Sequence, residues 1–455
     1  MSNEANFHVI KDPVHGTMQF TSIEDRWIKP FIDSPPFQRL RHIKQLGMAD
    51  YIFPGAVHTR FNHSLGCCYI ASLITHQLDI PSHDRQLVLI ACLLHDMGHG
   101  PFSHTFEDLF QNKCIRHEDW TPFFLEEYRT NAFFDSYNTL NPQFPLTIEK
   151  FDCIQAMIMH QKSAPSLLAD IVSSQLDADR LDYLLRDSHF CGVTYGQFDF
   201  KWMLNSMTII ETPLQQKRLG LTHKGIGVVE HYLMARRLMI KNIYLHQKKL
   251  AFEFFLIRLL VLLSQQLAKE ALFKKIKETR LGAFLQKVHQ FNTDKTRIKT
   301  DFLSENYLSY KELGDYDVFV IIKSLAEMTQ TTSVIDLAQR LQQRVMPKII
   351  RIDNALISET KNVINTFKSA HPDIYDWQLA LLDSQHQSYT AIHDPISIIN
   401  EKGNIKTLSE LSFMINAIEN KSEHHAFICV DQVLYHNNKY QPLLSDLFDV
   451  IQKQR

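Results

Sequence analysis

Apolar residues recur at helical spacing over most of the first 300 positions. From Ser64 to about Leu263, Leu, Ile and Phe follow the 3.6-residue period of buried and amphipathic helices. Residues 22–47 also favour helices, with an interruption at Ser34-Pro35-Pro36. The pattern predicts a bundle of many helices as the core of the protein.

The two ends of the chain show a different pattern. Residues 7–20 place a Pro/Gly turn between two short segments, which predicts a hairpin of two strands. Beyond about residue 300, Ile349–Ile352, Ile398–Asn400 and Ala426–Val430 are typical of short strands among helices. We therefore predict a mainly α fold with a small N-terminal β-hairpin and a C-terminal α+β appendage. We expect a core at 1–300 and a region at 301–455 that serves regulation or oligomerisation.

The overall charge gives no reason to expect a polyanionic partner. The 455 residues carry a formal charge of -2, with 45% hydrophobic and 22% charged residues, as is usual for globular proteins. The basic stretch from Lys269 to Lys299 is interleaved with acidic residues, which favours a solvated helix face over a nucleic-acid surface. We expect no nucleic-acid partner, and any anion site must be local.

The apolar segments do not predict a membrane protein. Leu250–Leu263 is too short to span a bilayer and contains Glu253 and Arg258, so we expect a core helix there. Residues 1–20 lack the apolar core of a signal peptide. Seven cysteines, an odd number without Cys-x-x-Cys spacing, favour a reduced compartment. We predict a cytoplasmic protein without membrane contact.

The strongest chemical signal is His95-Asp96, which closes an apolar run at 87–94 and precedes His99 and His104. An imidazole beside a carboxylate suits a divalent cation of borderline hardness, such as Mn, Fe, Zn or Ni. Taken alone, the pair is also explained by a helix end with a polar cap. The histidines that follow favour a metal site.

A second polar cluster lies at Gln175–Asp187. On a helix, five of its functional side chains share one face: Asp179, Asp182, Tyr183, Arg186 and Asp187. An exposed helix with an ion pair between Asp182 and Arg186 explains those two residues, and we keep that interpretation for them. It does not explain why further aspartates accompany them.

A third segment, His58–Gly66, places His63 at the start of an apolar helix. Alone, His63 is better explained as a hydrogen-bonded structural histidine than as a ligand. The chain order of His63, then His95-Asp96, then the distant Asp179 favours a shared metal site.

Together these segments resemble the HD-domain metal-dependent phosphohydrolases, and within them the deoxynucleoside triphosphate triphosphohydrolases. The resemblance covers about residues 7–250 and implies that the predicted bundle is an HD-domain helical bundle. Its motifs are Phe37-Gln-Arg-Leu-Arg-His-Ile-Lys-Gln-Leu-Gly47, Phe53-Pro-Gly-Ala-x-His-x-Arg-Phe-x-His-Ser-Leu-Gly66, His95-Asp-x-Gly-His-Gly-Pro-Phe-Ser-His104, His117-Glu118 and Asp177-x-Asp-Arg-x-Asp-Tyr-x-x-Arg-Asp187. The chain looks most like the branch that contains bacterial triphosphohydrolases with a C-terminal extension and the vertebrate enzyme with an added SAM domain. We expect no SAM domain here, because the motifs begin almost at the N-terminus.

The resemblance implies one divalent transition metal, with a complete ligand set of His63, His95, Asp96 and Asp179. Two imidazoles and two carboxylates leave coordination positions for a water and a phosphate oxygen. Mn, Fe, Zn and Ni all tolerate such a ligand set, so the native metal stays open.

The resemblance also implies catalytic roles for residues around that metal. His104 matches the histidine beside the α-phosphate, and Glu107 stands where the family usually has Asp to orient it. His117 matches a histidine that gives a proton to the leaving 5′ oxygen. His99 and Arg60 match phosphate contacts.

The implied substrate contacts are Gln45, Leu46, Arg60, Arg180, Tyr183, Asp187, Arg236 and Tyr244. Arg180 replaces a lysine of relatives and offers a planar fork in place of a point charge. Gln45 and Asp187 match residues that hold the sugar 3′ hydroxyl, and Tyr244 matches a ring that leaves no room for a 2′ hydroxyl. We expect Mg to bind the substrate triphosphate. The sequence does not specify which base is preferred.

The resemblance further implies a nucleotide-activated homo-oligomer, a tetramer or a dimer of dimers. The residues that match the guanine-nucleotide (GTP or dGTP) activator site are Val9, Asp33, Gln38 and Arg41, with His8 and Lys11 in the same N-terminal strand. At a second activator site the match fails, because Trp202, Thr222 and Val228 replace cationic and amide side chains and leave Lys224. A single activating dNTP and constitutive activity both stay open.

The expected reaction converts a dNTP and water to a deoxynucleoside and inorganic triphosphate. One alternative is an HD-type phosphohydrolase that acts on a cyclic nucleotide or a monophosphate, with the same metal ligands. The other is a non-catalytic nucleotide sensor. The arginine cluster disfavours the first alternative, and the complete ligand set disfavours the second.

Overall fold

The computed structural model of the chain describes residues 9–113, 115–267, 269–387, 389 and 394–440. His8 of the expected activator strand and Cys114 lie outside the described residues. Helices dominate the described chain, with short strands near its start, in the middle and towards its end. The prediction of a mainly α fold is therefore confirmed.

The N-terminal segment is the predicted hairpin. Strands β1 (Val9–Asp12) and β2 (Gly16–Gln19) pair antiparallel, and the helices α1 (Ser22–Ile32) and α2 (Pro35–Gln38) follow. Thr21 begins α1 with a capping box, since its hydroxyl accepts from the backbone of Glu24 while the Glu24 carboxylate accepts from the backbone of Thr21. The predicted interruption before Pro35 is confirmed as the gap between α1 and α2.

The core is a helical bundle. Its helices are α3 (Arg60–Gln77), α4 (Ser82–Leu94), α5 (His104–Glu107), α6 (His117–Glu126), α7 (Asn131–Leu140), α8 (Ile148–Ile158), α9 (Ser166–Val172), α10 (Ala178–Phe190), α11 (Phe200–Ser206), α12 (Ile226–Met239), α13 (Gln247–Gln266), α14 (Lys274–Lys277) and α15 (Arg280–Thr293). The apolar run at 87–94 is buried in α4, and the predicted core helix at 250–263 is the largely buried α13. A π-helical turn at Ile240–Tyr244 joins α12 to α13.

Two strands interrupt the helical region, and the sequence analysis did not predict them. Strands β3 (Met207–Glu211) and β4 (Lys217–Thr222) form an antiparallel hairpin. Strand β4 also pairs in parallel with a strand from the C-terminal part of the chain, at 397–399. The C-terminal region therefore completes a sheet on the helical core.

The C-terminal part mixes helices and strands as predicted. Its elements are α16 (Lys299–Tyr310), α17 (Asp315–Ala326), α18 (Ser333–Gln343), β5 (Lys348–Ile352), α19 (Ile357–Ala370), β6 (Leu379–Gln387), β7 (Ser397–Ile399), β8 (Ile405–Thr407), α20 (Leu408–Leu411), α21 (Phe413–Ile418), β9 (Ser422–Val430) and α22 (Gln432–His436). The strands form two sheets, in the orders β3-β4-β7-β8 and β5-β9-β6. The three predicted strands correspond to β5, β7 and β9, whereas β6 and β8 were not predicted.

Helices beyond residue 300 contact loops of the core. Tyr310 of α16 donates a hydrogen bond to the carbonyl of Gly98 at 2.8 Å. Asp315, at the start of α17, accepts from the backbone nitrogens of Phe102 at 2.7 Å and Lys44 at 2.9 Å. The division at residue 300 stays a prediction, and α16 and α17 support loops on the other side of it.

Within the described residues, no single helix has the length and apolar composition needed to cross a membrane. One sharply bent pair, Gln247–Gln266 with Ala271–Lys277, meets those criteria only when both helices are taken together. The cysteines of the described residues are free thiols: Cys67, Cys68, Cys92, Cys153, Cys191 and Cys429.

Helices α3 and α10 approach each other closely at Gly66. A Cβ atom at Gly66 would lie 1.9 Å from Asp182 Oδ1 and 2.4 Å from Arg186 Nη2. Asp182 and Arg186 form the expected ion pair, with Nε 2.8 Å from Oδ2. Both side chains are fully buried, so the expectation of an exposed surface pair is wrong. The reason is that α10 turns its charged face towards α3 and the N-terminal hairpin instead of towards solvent.

Replacing Gly66 by Ala should lower the free energy of unfolding by about 3 kcal/mol or more, because the methyl group would displace a buried ion pair. Equilibrium urea denaturation would measure this loss. Gly227→Ala is the matched control, since a Cβ atom there meets nothing within 4 Å. It should leave the stability unchanged or raise it by up to about 1 kcal/mol. Equal stabilities of the two variants would contradict the close helix contact.

Candidate metal centre and active site

Three helices bring the four expected metal ligands together. His63 lies in the first turn of α3, His95 and Asp96 follow the end of α4, and Asp179 lies in the first turn of α10. Asp179 Oδ1 is 3.0 Å from His63 Nε2 and 3.7 Å from His95 Nε2. Asp96 is 3.6 Å from His63 Nε2 through Oδ2 and 3.4 Å from His95 Nε2 through Oδ1. Ligand atoms bound at about 2.0–2.2 Å to one ion have similar mutual separations.

The two imidazoles are oriented through their other ring nitrogens. His63 Nδ1 lies 2.8 Å from Asp182 Oδ2, and His95 Nδ1 lies 2.8 Å from the carbonyl oxygen of Cys92. Such contacts fix the tautomer and leave Nε2 available as a ligand. His95 Nε2 is buried and has no hydrogen-bond partner in the described structure. An orphaned buried nitrogen that faces carboxylates fits a metal cation.

The carboxylates of the centre are held in their ionised form. Burial opposes ionisation of Asp179, but the nearby imidazoles of His63 and His95 outweigh burial and keep the pKa of its carboxyl far below the usual value. Burial likewise opposes ionisation of Asp96, and Arg60 is the main charge that lowers its pKa instead. Burial depresses the pKa of His63, yet the Asp179 and Asp182 carboxylates raise it to about 10. A metal would therefore displace a proton from His63 when it binds.

Cys67 is a neighbour of the centre that the sequence analysis did not single out. Its Sγ lies 3.5 Å from both ring nitrogens of His63, one helical turn earlier in α3. Cys67, His63, His95 and Asp179 together form a group that could hold a metal ion. Burial raises the pKa of the Cys67 thiol well above its ordinary value, which keeps the sulfur neutral. The four-residue spacing between His63 and Cys67, which places both on one face of a helix, is the sequence signal that could have indicated this contact.

A cavity of about 540 Å³ opens beside the metal ligands. All the expected substrate residues line it, namely Gln45, Leu46, Arg60, Arg180, Tyr183, Asp187, Arg236 and Tyr244. The expected catalytic histidines His99, His104 and His117 line it as well. Lys249 and Glu253 also line it and form an ion pair of 2.7 Å that the sequence analysis missed. The structure thus brings residues from 45 to 253 to a single site.

Glu107 joins two of the histidines. Its Oε1 lies 2.7 Å from His117 Nδ1 and 3.2 Å from His104 Nδ1. Burial opposes ionisation of Glu107, but the hydrogen bonds of both histidines hold its pKa far below the usual value. The His99 ring stacks on the His117 ring at 3.7 Å between centroids, and burial keeps the pKa of His99 well below its ordinary value. One carboxylate therefore orients two imidazoles whose Nε2 atoms are left for other partners.

Arg60 connects the metal ligands to the loop before α5. Its Nη1 lies 2.5 Å from Asp96 Oδ2, and its Nε donates to Ser103 Oγ at 2.9 Å. Phe102 and Ser103 both have positive φ angles of 56°, a conformation that non-glycine residues rarely adopt. Asp315, described above, accepts from the backbone of Phe102 and so secures this strained turn. The turn sets the position of His104, which begins α5.

The other two arginines of the cavity differ in how they are held. Arg180 donates to the buried carboxylate of Asp177 at 2.7 Å, and Asp177 also caps the start of α10. Arg236 donates to the amide oxygen of Gln175 at 2.9 Å. Gln175 is neutral, and Arg236 forms no ion pair among the described residues.

Asp187 lines the cavity and holds two of its neighbours. Its Oδ1 lies 2.7 Å from His58 Nε2, and its Oδ2 accepts a hydrogen bond from the Tyr244 hydroxyl at 2.8 Å. His58 is buried and stacks on Phe190. His58 belongs to one of the sequence motifs but had no predicted role, and the structure shows that it contacts Asp187.

The expected activator residues lie in β1, at the ends of α1 and α2, and in the 3-10 turn that follows α2. Arg41 Nε donates to Gln38 Oε1 at 2.7 Å, and the Arg41 guanidinium lies over the Phe61 ring at 3.5 Å. Asp33 caps the C-terminus of α1, and Val9 is an exposed residue of β1. The structure thus brings Gln38 and Arg41 together. Where the match to a second activator site fails, the exposed Trp202 donates to the carbonyl of Lys224.

Comparisons with known proteins agree with this geometry. The profile of the HD domain family matches residues 60–184. The chain is 36% identical to the uncharacterized protein YwfO of Bacillus subtilis over 258 residues, which are 55% of each chain. It is 32% identical to an uncharacterized protein of Methanocaldococcus jannaschii over 326 residues, 68% of this chain and 60% of that one. It is also 32% identical to human deoxynucleoside triphosphate triphosphohydrolase SAMHD1 over 269 residues, 52% of this chain and 42% of that enzyme.

Two solved structures share the fold over nearly the whole chain. A phosphohydrolase from Bacteroides thetaiotaomicron is 26% identical, with a TM-score of 0.73, and the match covers 94% of this chain and 100% of that one. A hypothetical protein from Aquifex aeolicus is 26% identical, with a TM-score of 0.69. The curated relatives named above are matched over about half of their length, from 42% to 60%. On these grounds the chain contains an HD domain at residues 60–184, and over about half of its length it is similar to a deoxynucleoside triphosphate triphosphohydrolase.

Proposed function

We propose that the protein is a metal-dependent triphosphohydrolase that converts a dNTP and water to a deoxynucleoside and inorganic triphosphate. The observation that carries this proposal is one cavity lined by three of the four expected metal ligands, by the three expected catalytic histidines and by three arginines. This combination supports attack at a phosphorus atom, departure of a nucleoside and binding of the highly charged triphosphate.

His63, His95, Asp96 and Asp179 would hold one divalent ion, with Mn, Fe, Zn and Ni as candidates. When bound, such an ion supplies Lewis acidity at a phosphoryl oxygen and lowers the pKa of a bound water. Arg60 contacts Asp96 and also borders the cavity, so it can bind a phosphate oxygen beside the ligands.

The histidines supply proton transfer. Glu107 holds Nδ1 of both His104 and His117, so each ring can offer Nε2 to a substrate in the cavity. In this proposal His104 lies beside the α-phosphate, and His117 gives its proton to the 5′ oxygen as the P–O bond breaks.

The arginines favour a triphosphate over a substrate with fewer negative charges. Arg60, Arg180 and Arg236 converge on the cavity with the Tyr183 hydroxyl. A Mg ion on the triphosphate would complete the neutralisation of its charge. A cyclic nucleotide or a monophosphate has too little charge to need this cluster, so the dNTP reaction is the better explanation.

We further propose that the cavity selects the deoxyribose. The Asp187 carboxylate and Gln45 would hold the 3′ hydroxyl, and the Tyr244 ring would occupy the space of a 2′ hydroxyl. The hydrogen bond from Tyr244 to Asp187 fixes that ring. The resemblance supports two further proposals, an activator site at Val9, Asp33, Gln38 and Arg41 and a homo-oligomeric assembly. We also propose a cytoplasmic location, from the cysteine pattern, and a role of 301–455 in regulation or oligomerisation.

The reaction is tested by ion-exchange chromatography of products after incubation with each of four dNTPs and four NTPs, singly and in mixtures, with Mg or Mn. We expect deoxynucleoside and intact triphosphate, from deoxy substrates only. Turnover that appears only in certain mixtures would identify an activator. Release of phosphate or pyrophosphate, or no turnover by protein that contains metal, would contradict the proposed reaction.

Tyr244→Ala should lower the preference for dNTPs over NTPs by about tenfold or more, because it opens space for the 2′ hydroxyl. Competition between a dNTP and its NTP at equal concentration measures the ratio directly. Tyr244→Phe is the matched control, since it retains the ring and removes only the hydrogen bond to Asp187. It should keep most of the preference, and an unchanged ratio in Tyr244→Ala would remove the proposed role of the ring.

A further inference from the structure

The carboxylate of Asp182 lies directly behind the metal ligand His63. Its Oδ2 is 2.8 Å from His63 Nδ1, the nitrogen opposite the one that faces the metal ligands. Asp182 is fully buried, and Arg186 of the same helix donates to both of its oxygens, at 2.8 and 3.0 Å. A buried carboxylate held from several sides has one orientation, and it transmits that orientation to the imidazole.

Two further partners of this group come from the N-terminal hairpin. His15, in the turn between β1 and β2, places Nε2 2.6 Å from Asp182 Oδ1. Asp12, the last residue of β1, accepts from Arg186 Nη1 at 2.8 Å. Both side chains are largely withdrawn from solvent, with 6% of His15 and 4% of Asp12 exposed. The hairpin therefore inserts an imidazole and a carboxylate into the charge cluster behind His63.

Asp12 has a second task in the same turn. Its Oδ1 accepts hydrogen bonds from the backbone nitrogens of Val14 at 2.9 Å and His15 at 3.0 Å. These bonds form an Asx-type turn that presents His15 to Asp182. The His15 ring also packs against the Tyr69 ring of α3, at 5.7 Å between centroids. One residue thus shapes the turn with Oδ1 and holds Arg186 with Oδ2.

We propose that Asp12 and His15 are positioning residues of the metal centre. They hold Asp182 and Arg186 in place, Asp182 holds His63, and metal retention therefore depends on the hairpin. Both residues lie outside the segment 60–184 that the HD domain profile matches. The inference rests on the proposed metal site and requires no assumption about the substrate.

The test is the metal dissociation constant of the full-length protein. It is determined by competition for Zn or Mn between the protein and increasing concentrations of a chelator, and by elemental analysis after dialysis. Loss of an outer contact of a ligand typically weakens metal binding by about 10–100-fold. His15→Phe retains the ring against Tyr69 but removes the contact to Asp182, so we expect a loss of that size. Asp12→Asn should behave similarly, because the amide oxygen can still accept from the turn while the charge at Arg186 is lost.

Two further variants separate positioning from folding. His15→Gln keeps a donor near the position of Nε2 and should recover part of the affinity. Thr17→Ala is the matched control in the same hairpin, since Thr17 is exposed and its hydroxyl accepts only from Lys11 among the described contacts. It should bind metal like the wild type. Thermal unfolding of each variant in the metal-free form shows whether the fold is retained.

Folded His15→Phe and Asp12→Asn proteins with wild-type affinity would overturn the inference. So would equal losses in Thr17→Ala, because these would reflect hairpin stability alone. No nucleotide enters the measurement, so it stands apart from the proposed reaction. Hairpin-dependent metal binding without dNTP hydrolysis would support this inference and contradict the proposed reaction. A wild type that binds no metal would overturn the metal site and the inference together.

Discussion

The candidate metal site depends on the buried cluster of charged side chains that Asp182 forms with Arg186, Asp12 and His15. It lies where α3 and α10 meet, and Gly66 allows the helices to approach closely enough for Asp182 to reach His63. The same crossing places Asp179, one turn earlier in α10, beside His63 Nε2. An unpaired charge in this position would be costly, so the cluster stabilises the fold only when every member is present. Fold stability and ligand geometry therefore share one set of contacts.

Ion pairs hold most of the other charged side chains of the cavity. Asp96 is compensated by Arg60, and Asp177 is compensated by Arg180, whereas Arg236 has a neutral partner in Gln175. A bound triphosphate would meet at least one guanidinium whose charge no side-chain contact of its own offsets. Glu107 adds a negative charge shared by two histidines, one of which is the proposed proton donor.

The sequence indicated which residues come together better than it indicated their surroundings. Chain order favoured a site shared by His63, His95-Asp96 and Asp179, and the family resemblance supplied their proposed roles and the substrate residues that line the cavity. The burial of Asp182 and Arg186 was not predictable in the same way, because i,i+4 spacing describes an exposed pair and a buried one equally well. Asp315 was also invisible, since it secures Phe102 across 213 positions of the chain. The parallel pairing of β4 with β7 likewise depends on chain packing that no local pattern encodes.

The central claim is that water attacks the α-phosphorus and the bond to the 5′ oxygen breaks. Hydrolysis of a dNTP in ¹⁸O-labelled water, followed by mass spectrometry of both products, tests this claim most directly. We predict one ¹⁸O atom in the inorganic triphosphate and none in the deoxynucleoside. Label in the deoxynucleoside would show attack at the 5′ carbon, and label in released phosphate or pyrophosphate would show attack at another phosphorus. Either result would contradict the account.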